Sequence, residues 1–255
     1  MLDEKNYQTG EVEKYYHQED EMYRQIAERG FSEYANSLPD LAKAFETREN
    51  CVCCIDEGTP EGGHVAGSGI LMSEDELISY YEQTKSEVVT SHDNCGAAKI
   101  YDESQDMPSE NPDEAGRLWA QELAKKLGIK HRHISADEMK RPKEGHFART
   151  VYYDLTGHFN YSATEGLPAG FTISRKFITP KYALEELGVA LSITFGDHGL
   201  GNKITAENPF YLVVVAENEE QLADAKQELD NLSHSHEDKI KVDGVVKPTA
   251  TQLKE

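Results

Sequence analysis

Cys51-Val52-Cys53-Cys54-Ile55 is a short apolar run between charged neighbours. Further on, Val88-Val89-Thr90-Ser91 leads into His92-Asp93-Asn94-Cys95-Gly96. Runs of four or five such residues bounded by polar stretches predict strands buried on both faces. Between them lies a glycine-rich loop (Gly58, Gly62, Gly63, Gly67 and Gly69), followed by Ser73-Glu74-Asp75-Glu76. A Ser followed three positions later by Glu is a helix-start signature, so a helix is expected from there to about Thr84. Strand, loop, helix, strand: this alternation predicts an α/β fold with a central, mainly parallel β-sheet covered by helices on both faces.

Outward from this nucleus the alternation continues. Residues 102–112 are acidic and proline-bearing, which predicts a surface loop. From Asp113 to Leu127, the residues Leu118, Ala120, Leu123 and Leu127 line one side of an amphipathic helix that Gly128 stops. Strands are predicted at 130–134, 150–153 and 191–195, and Tyr211-Leu212-Val213-Val214-Val215 is the clearest buried strand of all. Helices are predicted from Pro180 to Leu187 and from Glu219 to Leu229. No repeat is legible in the letters. Residues 11–48 read as polar helices, with a stop at Gly30 and a second helix from Leu38 to Phe45. The expected organisation is therefore an N-terminal helical arm (1–48), an α/β metal-binding domain (49–232) and a loose polar tail (233–255). The arm is too polar to be a core by itself and is expected to lie across the domain or against a second subunit.

The 255 residues carry 47 acidic and 26 basic side chains, a formal charge of −21, and 38% of them are hydrophobic. That acidity argues against nucleic acid and anionic membranes as partners, because the phosphates would be repelled. No apolar run approaches the ~20 residues that span a bilayer, and Met1-Leu2-Asp3-Glu4-Lys5 lacks a secretory pattern. A cytoplasmic protein is the expectation. The four cysteines, Cys51, Cys53, Cys54 and Cys95, are too bunched to staple a secreted fold.

In open parallel sheets, ligands sit beyond the carboxyl ends of the strands. Cys54 and Asp56 are expected at that end of the first strand and His92 at that end of the second, with Cys95 opening the helix that follows. Two thiolates and one imidazole suit Zn²⁺ and leave a fourth position for water. Singly, each Cys reads as a small apolar filler of a buried strand. The concentration of all four in these two segments points to a metal instead.

Cys54-Ile-Asp56, the glycine-rich turn after it and His92-Asp-Asn-Cys95-Gly96 resemble the C-x-D … H-x-x-C-G signature of the beta-class carbonic anhydrases. Gly62-Gly63, Gly96-Ala-Ala-Lys99 and Ala169-Gly170-Phe171 are similar to the related zeta class, which accepts cadmium as well as zinc. The signature segments cover residues 51–101, and a looser likeness reaches residue 216. The resemblance implies a beta-carbonic-anhydrase-like fold that often dimerises through its N-terminal helices. It also implies reversible hydration of CO₂ to bicarbonate by a metal-bound hydroxide. Cys54, His92 and Cys95 would be the ligands of Zn²⁺ or Cd²⁺, Asp56 the catalytic residue, and Cys51 and Cys53 strand residues. Spacing alone leaves Cys53 open as a ligand; the Asp two residues on favours Cys54.

One departure stands out. The family's C-x-D-x-R places Arg beside Asp, whereas this chain has Gly58 there. An unpaired Asp56 would be free to become the fourth ligand and close the site. Arg149, Arg175 and Lys99 compete as substitutes, or Asp56 and Glu57 share a different hydrogen-bonding task. Two alternatives to CO₂ hydration follow: a non-catalytic metal-binding protein, and a CS₂ or COS hydrolase on the same scaffold. A thiol redox centre ranks behind them, because the adjacent Cys53 and Cys54 are poorly placed for a disulfide. His64 reads as a proton shuttle or as a structural loop histidine. His131 and His133 read as a solvated strand face before a metal pair, and His198 as a residue near the pocket. His234 and His236 sit in the polar tail, and Trp119 is expected on the helix side of the core.

Overall fold

The computed structural model describes residues 10–46, 50–143, 145–196, 200, 201, 203–234 and 238–248. The first half of the α/β region runs β1 (Cys51–Cys53), β2 (Gly63–His64), α4 (Glu74–Thr84), β3 (Val88–His92), α5 (Gly96–Glu103), α6 (Pro112–Leu127) and β4 (Lys130–Ile134). The second runs β5 (Thr150–Asp154), β6 (Phe171–Ile173), α7 (Pro180–Phe195), β7 (Phe210–Ala216), α8 (Glu219–His234) and β8 (Ile240–Val246). Each half forms one four-stranded, wholly parallel sheet, ordered β2-β1-β3-β4 and β6-β5-β7-β8. The α/β expectation holds, but in place of one central sheet there are two, and their strand order is the same. The repeat absent from the letters is present in the topology.

The two sheets meet edge to edge. Thr172 N donates to Ile55 O at 2.9 Å, Ser174 N to His64 O at 2.9 Å, and His64 N to Ser174 Oγ at 2.7 Å. One hydrophobic cluster runs from Val52 and Val89 of the first sheet to Val151, Leu212 and Val214 of the second. Side chains alternate along a strand, so Tyr211, Val213 and Val215 face the other way. There they meet Tyr23, Ile26, Phe31 and Tyr34 of the N-terminal arm in a second cluster. The arm consists of α1 (Gly10–Gln18), α2 (Asp20–Arg29), α3 (Phe31–Asn36) and a 3-10 turn at Leu41–Phe45. It covers the second sheet of its own chain, with Tyr23 Oη 2.7 Å from Thr150 Oγ1.

Local chemistry sets the helix ends as expected. Ser73 caps α4, accepting from Glu76 N and donating to Glu76 Oε2, and Gly128 closes α6 with φ +70°. Two expectations fail. Residues 191–195 are not a strand but the last turns of α7, which Thr179 caps and Pro180 opens. Its buried positions Tyr182, Ala183, Glu186, Leu187, Ala190, Leu191 and Thr194 keep helical spacing throughout. A five-residue apolar run cannot by itself distinguish the end of a buried helix from a strand. The tail expected after residue 233 is likewise interrupted: Ile240–Val246 pairs in parallel with all of β7. Only Ile240 and Val245 of the aliphatic positions there are packed fully inside, too sparse a pattern to announce a strand. No helix among the described residues is long and apolar enough to cross a membrane.

Candidate metal centre

Cys54 follows β1, His92 ends β3 and Cys95 stands at the N-cap of α5, so side chains from two separate segments reach one spot at the carboxyl edge of the first sheet. Their ligating atoms all lie within 4.8 Å of one another, and all three residues are buried. Gly67 N donates to Cys54 Sγ at 3.1 Å. Gly67 has φ +53°, and a Cβ there would lie 2.6 Å from Ile70 Cγ2, so glycine is what brings this amide to the sulfur. Cys95 is held by its own turn: Asp113, at the start of α6, accepts from Asn94 N at 2.8 Å and from Cys95 N at 3.2 Å.

His92 donates Nδ1–H to Asp93 O at 2.8 Å, which leaves Nε2 as the free ring nitrogen; this buried atom makes no hydrogen bond. Metal-ligating histidines are oriented in this way, the far N–H fixed by a carbonyl. Contact with Cys95, reinforced by burial, pushes the Cys54 thiol well above its usual value. Burial works against the His92 imidazolium, but the neighbouring Cys54 sulfur outweighs it and pushes His92 up to about 9. Two sulfurs and an imidazole this close favour extra protons unless a cation stands among them. The donor set fits a borderline-soft divalent ion.

Asp56 lies beside this group, its Oδ2 3.9 Å from His92 Nε2. The same oxygen is 3.1 Å from Arg141 Nη2, and both residues are only 5% exposed. Arg141 supplies the guanidinium that Gly58 lacks, from the segment joining β4 to β5. Its Nη1 is fixed by the carbonyls of Pro142 (3.1 Å) and Gly145 (3.3 Å). The exchange has a steric cause. Gly58 has φ +83°, and a Cβ on it would lie 2.7 Å from Lys140 N. Only a residue without a side chain lets the Lys140 backbone pack there, and that packing delivers Arg141 to Asp56. Burial raises the Asp56 carboxyl, but Arg141 and His146 more than offset it, holding Asp56 well below the usual carboxylate range.

None of the three expected substitutes reaches Asp56. Arg149 is sandwiched between the rings of Tyr16 (4.1 Å) and Tyr23 (3.9 Å) and bonds Asp20. Arg175 pairs with Glu228 at 3.3 Å, and Lys99 lies 3.9 Å from Glu103. Glu57 accepts from His146 Nδ1 (2.8 Å) and Phe147 N (3.2 Å), and it shares that histidine with Asp56, whose Oδ1 lies 3.2 Å from the same nitrogen. Arg141 and His146 carry no motif, and only the chain's return through residues 135–149 brings them here.

Cys53 stands outside the ligand group, its Sγ 3.5 Å from Cys51 Sγ within β1. His64 is structural: buried, it donates to Cys54 O at 2.9 Å, and burial pushes it down to about 4, so it stays neutral. His131 Nε2 and His133 Nδ1 each lie 2.9 Å from Ser91 Oγ, and His133 Nε2 lies 3.0 Å from Asp93. Trp119 packs partly buried against the main core. His198 and His236 lie outside the described residues, as do residues 235–237 and 249–255 of the expected C-terminal tail. A pocket of about 560 Å³ opens beside the centre, lined by Cys95, Lys99, Arg141, His146, Ser192 and Ile193 among others. Both halves of the chain therefore contribute to its wall. Comparison with family models, curated proteins and solved structures returns no match to this chain.

Proposed function

We propose that the protein is a carbonic-anhydrase-like enzyme that hydrates CO₂ reversibly to bicarbonate at a Zn²⁺ or Cd²⁺ ion held by Cys54, His92 and Cys95. The observation that carries this reading is the buried Asp56–Arg141 pair set against the two sulfurs and the imidazole. When bound, the ion supplies a Lewis acid that ionises water near neutral pH. The rest falls to the chain. Cys54 and Cys95 balance the ion's charge, and the Asp93 carbonyl holds His92 in its ligating tautomer. Asp56, held ionised by Arg141 and His146, would accept a hydrogen bond from a water or hydroxide placed there and so orient it. Arg141 pairs with Asp56 Oδ2 at 3.1 Å and would hold the carboxylate back from an ion bound by the two sulfurs and the imidazole. The pocket admits CO₂, and bicarbonate and a proton leave through it to solvent.

The non-catalytic alternative drew its support from Gly58; the Arg141–Asp56 pair supports the catalytic reading instead. Stopped-flow CO₂ hydration tests the proposal. Wild-type protein loaded with zinc is expected to exceed the buffer rate and Asp56→Ala to lose most of the gain; a wild-type rate equal to buffer contradicts it.

A further inference from the structure

Beside the sulfur-bearing group lies a second set of donors with different chemistry. His146 Nδ1 is 2.8 Å from Glu57 Oε2 and 3.2 Å from Asp56 Oδ1, and the three donor atoms lie within 4.8 Å of one another. We infer that Asp56, Glu57 and His146 form a second divalent-cation site, separate from Cys54, His92 and Cys95. The inference goes beyond CO₂ hydration and does not depend on it.

Donors at 2.0–2.2 Å from one ion stand about 3 to 3.5 Å from each other; the Asp56–His146 separation of 3.2 Å falls in that range, and the Glu57–His146 one, at 2.8 Å, would open slightly around an ion. The polar accounting points the same way. Asp56 Oδ1 is buried without a hydrogen-bond partner, although its residue is only 5% exposed. Two carboxylates, one wholly buried, share a single imidazole, and one of them also answers Arg141. A divalent ion would take the place of the proton through which His146 Nδ1 now bonds Glu57. His146 lines the same pocket as Cys95, so an ion has a way in. Asp56 divides its oxygens between the two groups, Oδ2 toward Arg141 and His92 and Oδ1 toward His146.

The donor types separate the two sites. Two carboxylate oxygens and one imidazole suit harder ions such as Mn²⁺, whereas two sulfurs and an imidazole prefer Cd²⁺ or Zn²⁺. Metal-free, full-length protein is titrated with Mn²⁺, followed by electron paramagnetic resonance, and separately with Cd²⁺, followed by thiolate-to-cadmium ultraviolet absorption. The expected result is one Mn²⁺ per chain in wild type and in Cys54→Ser. In His146→Ala and Glu57→Gln, Mn²⁺ binding is expected to weaken about tenfold or more, with the cadmium band and circular dichroism retained. That retained band shows that the variants fold. No Mn²⁺ binding in wild type, or equal binding in all variants, overturns the inference. Loss of the cadmium band in wild type with Mn²⁺ binding intact counts instead against the thiolate centre alone.

Discussion

At the scale of single residues, the decisive exchange is between position 58 and position 141. The Asp–Arg pair spans 85 positions of chain, where a C-x-D-x-R pattern would set the two residues two apart, and the missing side chain at position 58 is what admits Arg141. On the proposed function, Arg141→Gln is therefore expected to bind zinc like the wild type but to lose CO₂ hydration about 10- to 100-fold, the usual cost of removing a group that orients a metal site. Elemental analysis and stopped-flow rates on one preparation check both halves of that statement. Gly58→Arg, which would complete a C-x-D-x-R pattern, is expected to harm the protein. It places a side chain at φ +83° and drives its Cβ into the Lys140 backbone. Strain and overpacking together are expected to cost about 2–5 kcal/mol, read as a lower urea midpoint. Cys54, His92 and Cys95 were legible because they follow strand ends in short, patterned segments. Arg141 and His146 were not, because nothing near them in sequence marks a residue that acts by returning from a long connection.

At the scale of elements, α7 ties the two halves together. Its Glu186, 2% exposed, accepts from Ala66 N at 2.5 Å, and the next amide, Gly67 N, donates to Cys54. Burial pushes Glu186 up from 4.5 to about 7. A carboxyl raised on folding contributes its stability fully below its unfolded value, and that contribution is lost as the pH rises through about 7. The corresponding difference is about 3 kcal/mol between pH 4.5 and pH 8. Glu186→Gln keeps an acceptor without the charge, so its stability is expected to fall less over that range than the wild type's. Urea denaturation at both pH values decides it, and parallel slopes contradict the assignment. The same helix shows where sequence periodicity fails. Leu191-Ser192-Ile193-Thr194-Phe195 is β-branched and apolar, but helical spacing from Tyr182 onward and a capped start carry the helix through it. Strand β8 escapes notice for the opposite reason, because only part of it is buried.

At the scale of the whole molecule, two sheets with one strand order stand edge to edge, and only the first ends in sulfur and imidazole donors. At the end of β5, the counterpart of the strand that Cys54 follows in the first half, Asp154 instead ties down its own turn, accepting from Thr156 N (2.8 Å) and Phe159 N (3.3 Å). Alternating strands and helices gave away the fold class, whereas the division into two sheets depends on which edges pair, a long-range choice that periodicity does not encode. The centre joins the ends of β1 and β3 to the start of α5, so an ion bound there links three elements. Metal held at about a thousand times its dissociation constant stabilises the folded state by about 4 kcal/mol. Dialysis against a chelator is accordingly expected to lower the thermal midpoint by several degrees, and re-addition of Zn²⁺ to restore it. The most direct measurement is X-ray absorption at the zinc edge on protein loaded with one equivalent of zinc. The expected shell holds two sulfurs near ~2.3 Å and one imidazole nitrogen near ~2.1 Å; a shell of nitrogen and oxygen without sulfur would contradict the centre described for Cys54, His92 and Cys95.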